Sequence, residues 1–189
     1  MNTNETAGIL NEYHQILSSS YLELGVGNNQ NFEYIKTSNK YSVDTKGQGM
    51  FLGTTDEYFQ QLPPNTKFDF IFIDACHHYE FVLRDFNNSV RHANKWILMH
   101  DMIPPSAAWT TKGRCSDSYR VLYYMLTQTK LELYAMNERL GLTFIRMPAD
   151  PIDPPRDFGF NSYEEFMQLI SKTRLYSCHE IVSILNKTN

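Results

Sequence analysis

An aspartate and a histidine follow an apolar run in the first half of this chain. The run, Phe68–Ile73, is dominated by Phe and Ile, and Asp74 and His77 come shortly after it. Carboxylates and imidazoles are groups that transfer protons and bind metal ions. A short apolar run predicts a strand buried on both faces, as in a parallel sheet covered by helices. Because ligands of such sheets bind beyond the carboxyl ends of the strands, Asp74 and His77 lie where a ligand is expected.

A second apolar segment also ends on polar side chains. Trp96–Met99 is predicted as the next buried strand, and His100 and Asp101 follow it. The loop over residues 102–113 has a length typical of functional loops, and its Trp109 offers an aromatic face to a substrate. Basic side chains here indicate either an anionic substrate or a solvated patch: Lys112, Arg114 and Arg120.

A glycine turn follows the first predicted strand. Residues 21–24 lead into Gly25 and Gly27, which let the backbone approach a ligand closely, and a helix begins soon after. Asp44 ends the second predicted strand, where a carboxylate can accept hydrogen bonds from both hydroxyls of an adenosine ribose. The pattern predicts a nucleoside cofactor; the alternative is a plain turn with Asp44 as a solvated strand end.

The same turn distinguishes between two cofactors. Asn28–Gln30 follow Gly27, so the third glycine of the GxGxxG pattern, which permits close packing beside a pyrophosphate, is missing. Glu23 can accept a hydrogen bond from the amino group that the methionine part of S-adenosylmethionine carries and NAD lacks. The turn therefore favours S-adenosylmethionine.

Strand and helix patterns alternate along the chain and predict an α/β fold. We expect a Rossmann-like, mostly parallel sheet of about seven strands with helices on both faces. Residues 45–49 are too few for a crossover helix, so the second crossover is trimmed. A helix is expected near residues 7–17, and a Thr N-cap at Thr54 begins a helix to about Gln61. Further helices are expected from about Tyr79 to His92 and over residues 116–127. The closing strands, near residues 131–135 and 142–145, are predicted to be antiparallel at least in part.

The composition changes after Arg146. Prolines at 148, 151, 154 and 155 predict an extended connection, and helices are expected near residues 163–172 and 179–185. We expect a cofactor-binding domain over residues 1–147. Residues 148–189 are expected to form a helical appendage that packs on this domain or makes an oligomer contact, such as one within a homo-oligomer.

The bulk properties restrict the class of protein. The 189 residues carry a formal net charge of -4, with a pI near 5.8, so the protein lacks the overall positive charge that favours binding of nucleic acid. Three scattered cysteines suit free thiols in a reducing compartment. No apolar run approaches a membrane span, and no signal peptide is visible. We expect a cytoplasmic protein that acts on a small molecule.

Several motifs together resemble a known family, the class I S-adenosylmethionine-dependent methyltransferases. They are the segment ELGVG, the strand-end Asp44, and the buried segment FDFIFID. The segments GTTDEYF, IDACHHYEFVLRD and ILMHDMIP are similar to the branch that contains sugar and macrolide-sugar O-methyltransferases and cephalosporin-hydroxylase-like proteins. The resemblance covers roughly residues 20–144.

The resemblance implies roles for particular residues. Asp74 and Asp101 correspond to metal ligands, and His77 corresponds to the general base. Where metal-dependent members carry two adjacent acids, this chain has His100–Asp101, so an imidazole replaces one oxygen ligand or that ligand is absent. Magnesium prefers oxygen, whereas manganese tolerates nitrogen. The implied cofactor-binding residues are Glu23, Gly25, Gly27, Asp44, Thr54, Asp56 and Asp74.

The expected function is S-adenosylmethionine-dependent O-methyl transfer to a hydroxyl of a sugar or another small molecule, with His77 as base and Mg²⁺ or Mn²⁺ as a candidate metal. Three alternatives stay open. They are a nonenzymatic cofactor-binding partner subunit, an NAD-dependent oxidoreductase, and a metal-dependent hydrolase that uses Asp74, His77 and Asp101.

Overall fold

The computed structural model describes residues 5–138, 140–148 and 162–187. Its strands are β1 (Tyr21–Leu24), β2 (Lys40–Asp44), β3 (Phe51–Leu52), β4 (Phe68–Ile73), β5 (Ala93–Met99), β6 (Glu132–Ala135) and β7 (Thr143–Arg146). Its helices are α1 (Glu5–Asn11), α2 (Gln30–Tyr34), α3 (Thr55–Gln61), α4 (Tyr79–Val90), α5 (Tyr119–Gln128), α6 (Tyr163–Ile170) and α7 (Cys178–Lys187).

The strands form one sheet in the order β3-β2-β1-β4-β5-β7-β6. Strands β1 to β5 pair in parallel, and β7 runs antiparallel to both β5 and β6. The predicted α/β class and the antiparallel closing strands are therefore confirmed. The order reverses at β1, between β2 and β4, and a ligand of an open parallel sheet binds at such a point.

Two hydrophobic cores cover the two faces of the sheet. On β4, Ile71 and Ile73 belong to the core beneath α3, α4, α5 and α6, whereas Phe70 and Phe72 belong to the core beneath α1, α2 and α7. All four side chains are at most 3% exposed. The expectation of a strand buried on both faces holds, because alternate residues of a strand point to opposite sides.

The second crossover is trimmed, as predicted. Residues 45–50 form turns rather than a helix, and β3 begins at Phe51. The backbone N–H of Met50 donates to Oγ of Ser42 at 3.0 Å, which holds the short connection against β2. Because this segment is compact, the carboxyl end of β2 stays accessible to a ligand.

The first helix is shorter than its sequence pattern predicted. A helix was expected over residues 7–17, but α1 ends at Asn11 and a 3₁₀ turn forms at Ile16–Ser18. The ring of Tyr13 packs edge-on against Phe70, with the centroids 5.4 Å apart. Burying Tyr13 against the sheet turns the chain away from the helix axis.

Two later helix boundaries also differ from the predictions. The helix expected to reach His92 ends at Val90, since β5 already begins at Ala93. The helix expected from Ser116 begins at Tyr119. Ser116 has a positive φ of 51°, a conformation that no α-helix contains.

The C-terminal helices contribute to both cores. Phe166 and Ile170 of α6 pack in the first core, and Ile181 and Leu185 of α7 pack in the second. Three of the prolines predicted to form an extended connection, at 151, 154 and 155, lie outside the described residues. Among the helices that the structure describes, none combines the length and apolar character needed to cross a membrane.

Candidate active site

The carboxyl ends of β4 and β5 bring the sequence-predicted polar residues to one edge of the sheet. The backbone N–H of Asp74 donates to the Leu24 carbonyl at 2.9 Å, and that of His100 donates to the Ile73 carbonyl at 3.1 Å. Backbone hydrogen bonding between the strands therefore extends to the N–H groups of Asp74 and His100. These two residues end the paired region, so their side chains project from the edge of the sheet.

Four predicted residues form one cluster there. Nε2 of His77 lies 3.2 Å from Oδ1 of Asp74, and Nδ1 of His77 lies 2.9 Å from Oδ2 of Asp101. Nδ1 of His100 is 3.2 Å from Oδ1 of Asp74 and 3.2 Å from Oδ1 of Asp101. Two carboxylates and two imidazoles therefore alternate around a common centre, which we call the Asp–His cluster.

Residues of the segment before α5, and Ser118 next to it, contact this cluster and hold it in place. The Arg114 carbonyl oxygen lies 3.0 Å from Nδ1 of His77. Oγ of Ser118 donates to the Asp101 carbonyl at 2.6 Å. Asp101 itself has a φ of 59°, and such strained backbone persists only where its surroundings hold it. The loop after β5 thus holds the cluster in place.

Contacts within the cluster favour the protonated, positively charged form of its imidazoles. Burial lowers the pKa of His77, but hydrogen bonds with Asp101 and Asp74 outweigh it and raise that pKa from 6.5 to about 10. The pKa of His100 is also raised, because contact with Asp74 outweighs burial. Burial raises the pKa of Asp74, yet its bonds with His100 and His77 lower it overall. The carboxylate of Asp74 is therefore ionised near neutral pH, and the imidazole of His77 is a cation.

The donor atoms of the cluster fit a divalent metal ion. Asp74, His77 and His100 each offer one ligand atom, and these atoms lie within 4.8 Å of one another. Oδ1 of Asp101 and Nδ1 of His100 are buried 3.2 Å apart, within ion-pair distance, but the angles of this contact are not those of a hydrogen bond. Buried polar atoms are costly unless they are paired, so these two atoms favour a cation between them. A mixed set of oxygen and nitrogen ligands suits manganese or another transition ion better than magnesium.

A cavity of about 350 Å³ opens beside the cluster. Four of the predicted cofactor-binding residues line it besides Asp74, namely Gly25, Gly27, Asp44 and Thr54. At Gly25, with a φ of 84°, a Cβ atom would lie 2.4 Å from Cα of Ala75. Only glycine fits at this close approach between β1 and the turn after β4.

Asp44 shapes the wall of the cavity. Its Oδ2 accepts hydrogen bonds from the backbone N–H groups of Val26 and Gly27, both at 3.0 Å, and its Oδ1 accepts from that of Lys46 at 2.8 Å. Asp44 therefore fixes the glycine turn. Each carboxylate oxygen has two lone pairs, so one acceptor position, on Oδ1, remains for a ribose hydroxyl.

Glu23 is placed beneath the cavity rather than on its wall. Its side chain is 1% exposed, and Oε2 accepts from Tyr21 Oη at 2.6 Å and from Asn31 Nδ2 at 2.8 Å. Burial raises the pKa of Glu23 from 4.5 to about 7, although both hydrogen bonds lower it. Its role in binding the cofactor amino group stays a prediction.

Asp56 and Thr54 have structural contacts at the start of α3. Oδ2 of Asp56 pairs with Nε of Arg84 at 2.9 Å, and Asp56 does not line the cavity. Thr54 is the N-cap of α3, as predicted, and forms a reciprocal capping box with Glu57. Contact of Asp56 with the cofactor also stays a prediction.

Nine residues that line the cavity were not among the predicted site residues, and Cys76, Phe81, Arg84 and Asp85 are four of them. Asp85 is 2% exposed and accepts from Oγ1 of Thr55 at 2.5 Å. Burial raises its pKa from 3.8 to about 6. The sequence signal that could have identified Asp85 is an acidic residue within the apolar pattern of α4.

Comparison with known proteins agrees with this architecture. Residues 22–102 match a family described as Methyltransferase domain. Among curated proteins, none matches the chain. The match includes the glycine turn, Asp44 and the whole Asp–His cluster.

Several solved structures share the fold. An O-methyltransferase from Bacillus cereus in complex with SAH has 13% sequence identity and a TM-score of 0.60, over 78% of this chain and 82% of that one. Cofactor-bound Rv0187 from MTB has 13% identity and a TM-score of 0.61, over 78% and 81%. The O-methyltransferase TomG from Streptomyces achromogenes, in complex with SAM, has 11% identity and a TM-score of 0.59, over 76% and 78%.

Residues 22–102 are thus similar to a methyltransferase domain, and the described fold is shared with solved methyltransferases. Both findings confirm the resemblance seen in the sequence, which is to the class I S-adenosylmethionine-dependent methyltransferases.

Proposed function

We propose that this protein transfers a methyl group from S-adenosylmethionine to a hydroxyl of a small molecule. In this proposal His77 is the proton acceptor, and Asp74, His100 and Asp101 are the ligands of a divalent metal ion. The observation that carries the proposal is the position of Asp74. It lines the cavity and also contacts His77 and His100, so the donor site and the acid–base site meet at one carboxylate.

The residues of the glycine turn would hold the cofactor. Asp44 would accept a hydrogen bond from a ribose hydroxyl at Oδ1, and Gly25 and Gly27 would let the backbone approach. When bound, the cofactor supplies a methyl group that is already activated by its sulfonium. The protein then needs only to orient the acceptor oxygen in line with that methyl and to remove its proton.

His77 is positioned to take that proton at Nε2. The Arg114 carbonyl can only accept a hydrogen bond, so the Nδ1 atom 3.0 Å away keeps its hydrogen. Nε2, 3.2 Å from Asp74, is then the atom that gains or loses a proton. A proton transfer of this kind contributes about 10²–10⁴-fold to a rate.

His77 would act as a base once its two carboxylate partners bind a cation instead of its imidazole. With Asp74 and Asp101 both free to bond it, His77 holds its proton, as its pKa of about 10 indicates. A divalent ion held by Asp74, His100 and Asp101 would supply the positive charge that lowers the pKa of both His77 and an acceptor hydroxyl.

The test is turnover on a panel of small hydroxylated compounds, including sugars, phenols and catechols, and of amines and thiols, with S-adenosylmethionine and Mn²⁺. Mass spectrometry should show S-adenosylhomocysteine together with an acceptor that has gained one methyl on oxygen. His77→Ala should abolish this product, whereas His14→Ala, at an exposed histidine that bonds Asn186, should not. Methylation confined to nitrogen or sulfur acceptors would contradict the proposal.

A further inference from the structure

Ser116 has a backbone conformation that the proposed reaction does not by itself explain. It belongs to the turn over residues 114–118, which we call the pre-α5 turn. Its φ of 51° lies in the left-handed region, which residues other than glycine seldom adopt. Such a conformation costs free energy and persists only where neighbouring contacts hold it. The contacts of the pre-α5 turn therefore show what this conformation achieves.

The pre-α5 turn contacts the Asp–His cluster on both sides of Ser116. Before Ser116, the carbonyl oxygen of Arg114 lies 3.0 Å from Nδ1 of His77. After it, Oγ of Ser118 donates to the carbonyl oxygen of Asp101 at 2.6 Å. A left-handed residue changes the direction of the chain sharply, so one short turn can make both contacts.

The side chain of Ser116 contacts the residue that follows the candidate base. Its Oγ lies 3.0 Å from Nδ1 of His78, which is adjacent to His77 in the chain. Asp117 accepts a hydrogen bond from the backbone N–H of Tyr79 at 2.7 Å. Because Tyr79 is the first residue of α4, its N–H has no partner within the helix. The pre-α5 turn thus holds the chain at the two residues directly after His77.

Arg120 strengthens this attachment between α4 and α5. Its Nη1 lies 3.5 Å from Oδ2 of Asp117, and its Cζ lies 4.2 Å from the centroid of the Tyr79 ring. The guanidinium therefore makes both an ion pair and a cation–π contact. The start of α4 and the start of α5 are joined at this point, two residues after His77.

Ser116, His78 and Asp117 are the residue types of a nucleophilic triad, but their geometry is different. In such a triad the serine and the carboxylate bond opposite nitrogens of the imidazole. Here Oγ of Ser116 and Oδ1 of Asp117 both approach Nδ1 of His78, at 3.0 and 3.8 Å. Ser116 is also only 5% exposed, which restricts access for a substrate. The arrangement is suited to positioning the chain.

We infer that Ser116 is a positioning residue for His77. Its left-handed backbone presents the Arg114 carbonyl to Nδ1 of His77, and its hydroxyl holds His78. Together these contacts keep Nε2 of His77 in one orientation toward the reacting oxygen. This step rests on the proposed function, in which Nε2 accepts the proton. Ser116 acts through its neighbours and does not touch the substrate.

The first test is the imidazole N–H signal of His77 in the full chain labelled with nitrogen-15 histidine. NMR should show a hydrogen on Nδ1 that is protected from exchange with water, identified by its absence in His77→Ala. Ser116→Gly accommodates the left-handed backbone but lacks the hydroxyl. In this variant the hydrogen should exchange about tenfold faster, because the turn opens more often. The measurement needs no methyl acceptor.

Kinetics provide the second test, with an acceptor found in the compound panel. Ser116→Gly should lose about 10- to 100-fold in kcat, with KM for S-adenosylmethionine changed less than about twofold, because orientation affects proton transfer rather than cofactor binding. A purely structural role would instead lower Tm and leave kcat unchanged. Ser171→Gly, at an exposed serine that ends α6, is the matched control and should keep the wild-type kcat and N–H exchange.

His78→Ala decides the matter if Ser116→Gly does not fold. The His78 side chain makes no capping bond to α4 and is 45% exposed, so its removal should leave the fold intact. This variant should also accelerate exchange of the His77 N–H and lower kcat. Unchanged exchange and kcat in a folded Ser116→Gly, or otherwise in His78→Ala, would overturn the inference while the proposed function stands. If the wild-type protein methylates no acceptor, the proposed function is wrong, and N–H exchange alone decides whether Ser116 holds His77.

Discussion

Nδ1 of His77 lies 2.9 Å from Oδ2 of Asp101, so the turn that follows β4 meets the residue that follows β5. The two residues are distant in sequence, and parallel pairing of β4 with β5 brings them together. The same imidazole reaches Asp74 through Nε2. His77 therefore bridges both carboxylates of the Asp–His cluster, and it is either the base or a metal ligand.

His77→Ala separates these two roles. If His77 is the base, the variant should lose about 10²–10⁴-fold in kcat while Mn²⁺ and S-adenosylhomocysteine bind as before. Calorimetric titration of each variant with Mn²⁺ measures this directly. A loss of Mn²⁺ affinity comparable to that of Asp74→Ala would instead make His77 a ligand.

His100→Asp should change which metal the cluster prefers. The wild-type set includes an imidazole nitrogen, and we expect it to bind Mn²⁺ more tightly than Mg²⁺. An added carboxylate should reduce this preference roughly tenfold. Competition between the two ions, followed through the Mn²⁺ paramagnetic resonance signal, provides the measurement. Equal preference in the two proteins would show that His100 is outside the coordination sphere.

Glu23 should make the protein less stable as the pH rises. Its folded-state pKa is about 7 because burial raises it, against 4.5 for an exposed Glu. Between those values the folded protein binds the proton and the unfolded chain has released it, so the free energy of unfolding falls with rising pH, by about 3 kcal/mol for this group. Above pH 7 its effect is constant.

Glu23→Gln removes that titration. Relative to the wild-type protein, the variant should gain stability progressively from pH 4.5 to pH 7, as measured by urea unfolding. Glu12→Gln, at an exposed position, is the control. Parallel pH profiles for wild-type protein and Glu23→Gln would mean that Glu23 does not titrate in this window.

The sheet edge could be predicted from the sequence because its signals are local. Apolar runs that stop at Asp74 and at His100 define where β4 and β5 end, and parallel strands place their carboxyl ends together. The resemblance to the methyltransferases supplied the roles. The glycine turn was also predicted from a local signal, the two glycines that follow β1. The structure shows why glycine is needed there, since the close contact of Gly25 with Ala75 leaves no space for a side chain.

The positions of Glu23 and Asp85 depend on contacts that the sequence pattern does not contain. Glu23 lies on the face of β1 that α1 and α2 cover, and its bond with Asn31 arises only when α2 packs there. Asp85 reaches the cavity because α4 packs against α3. Such interhelical distances come from tertiary packing, which a single sequence does not reveal.

Titration of the protein with S-adenosylhomocysteine and with NADH tests the central claim, a methyl-donor site beside the Asp–His cluster. We predict binding of S-adenosylhomocysteine in the micromolar range, weakened about tenfold or more in Asp44→Ala through loss of bonds to a charged group, and no binding of NADH. Binding of NADH without binding of S-adenosylhomocysteine would contradict the account.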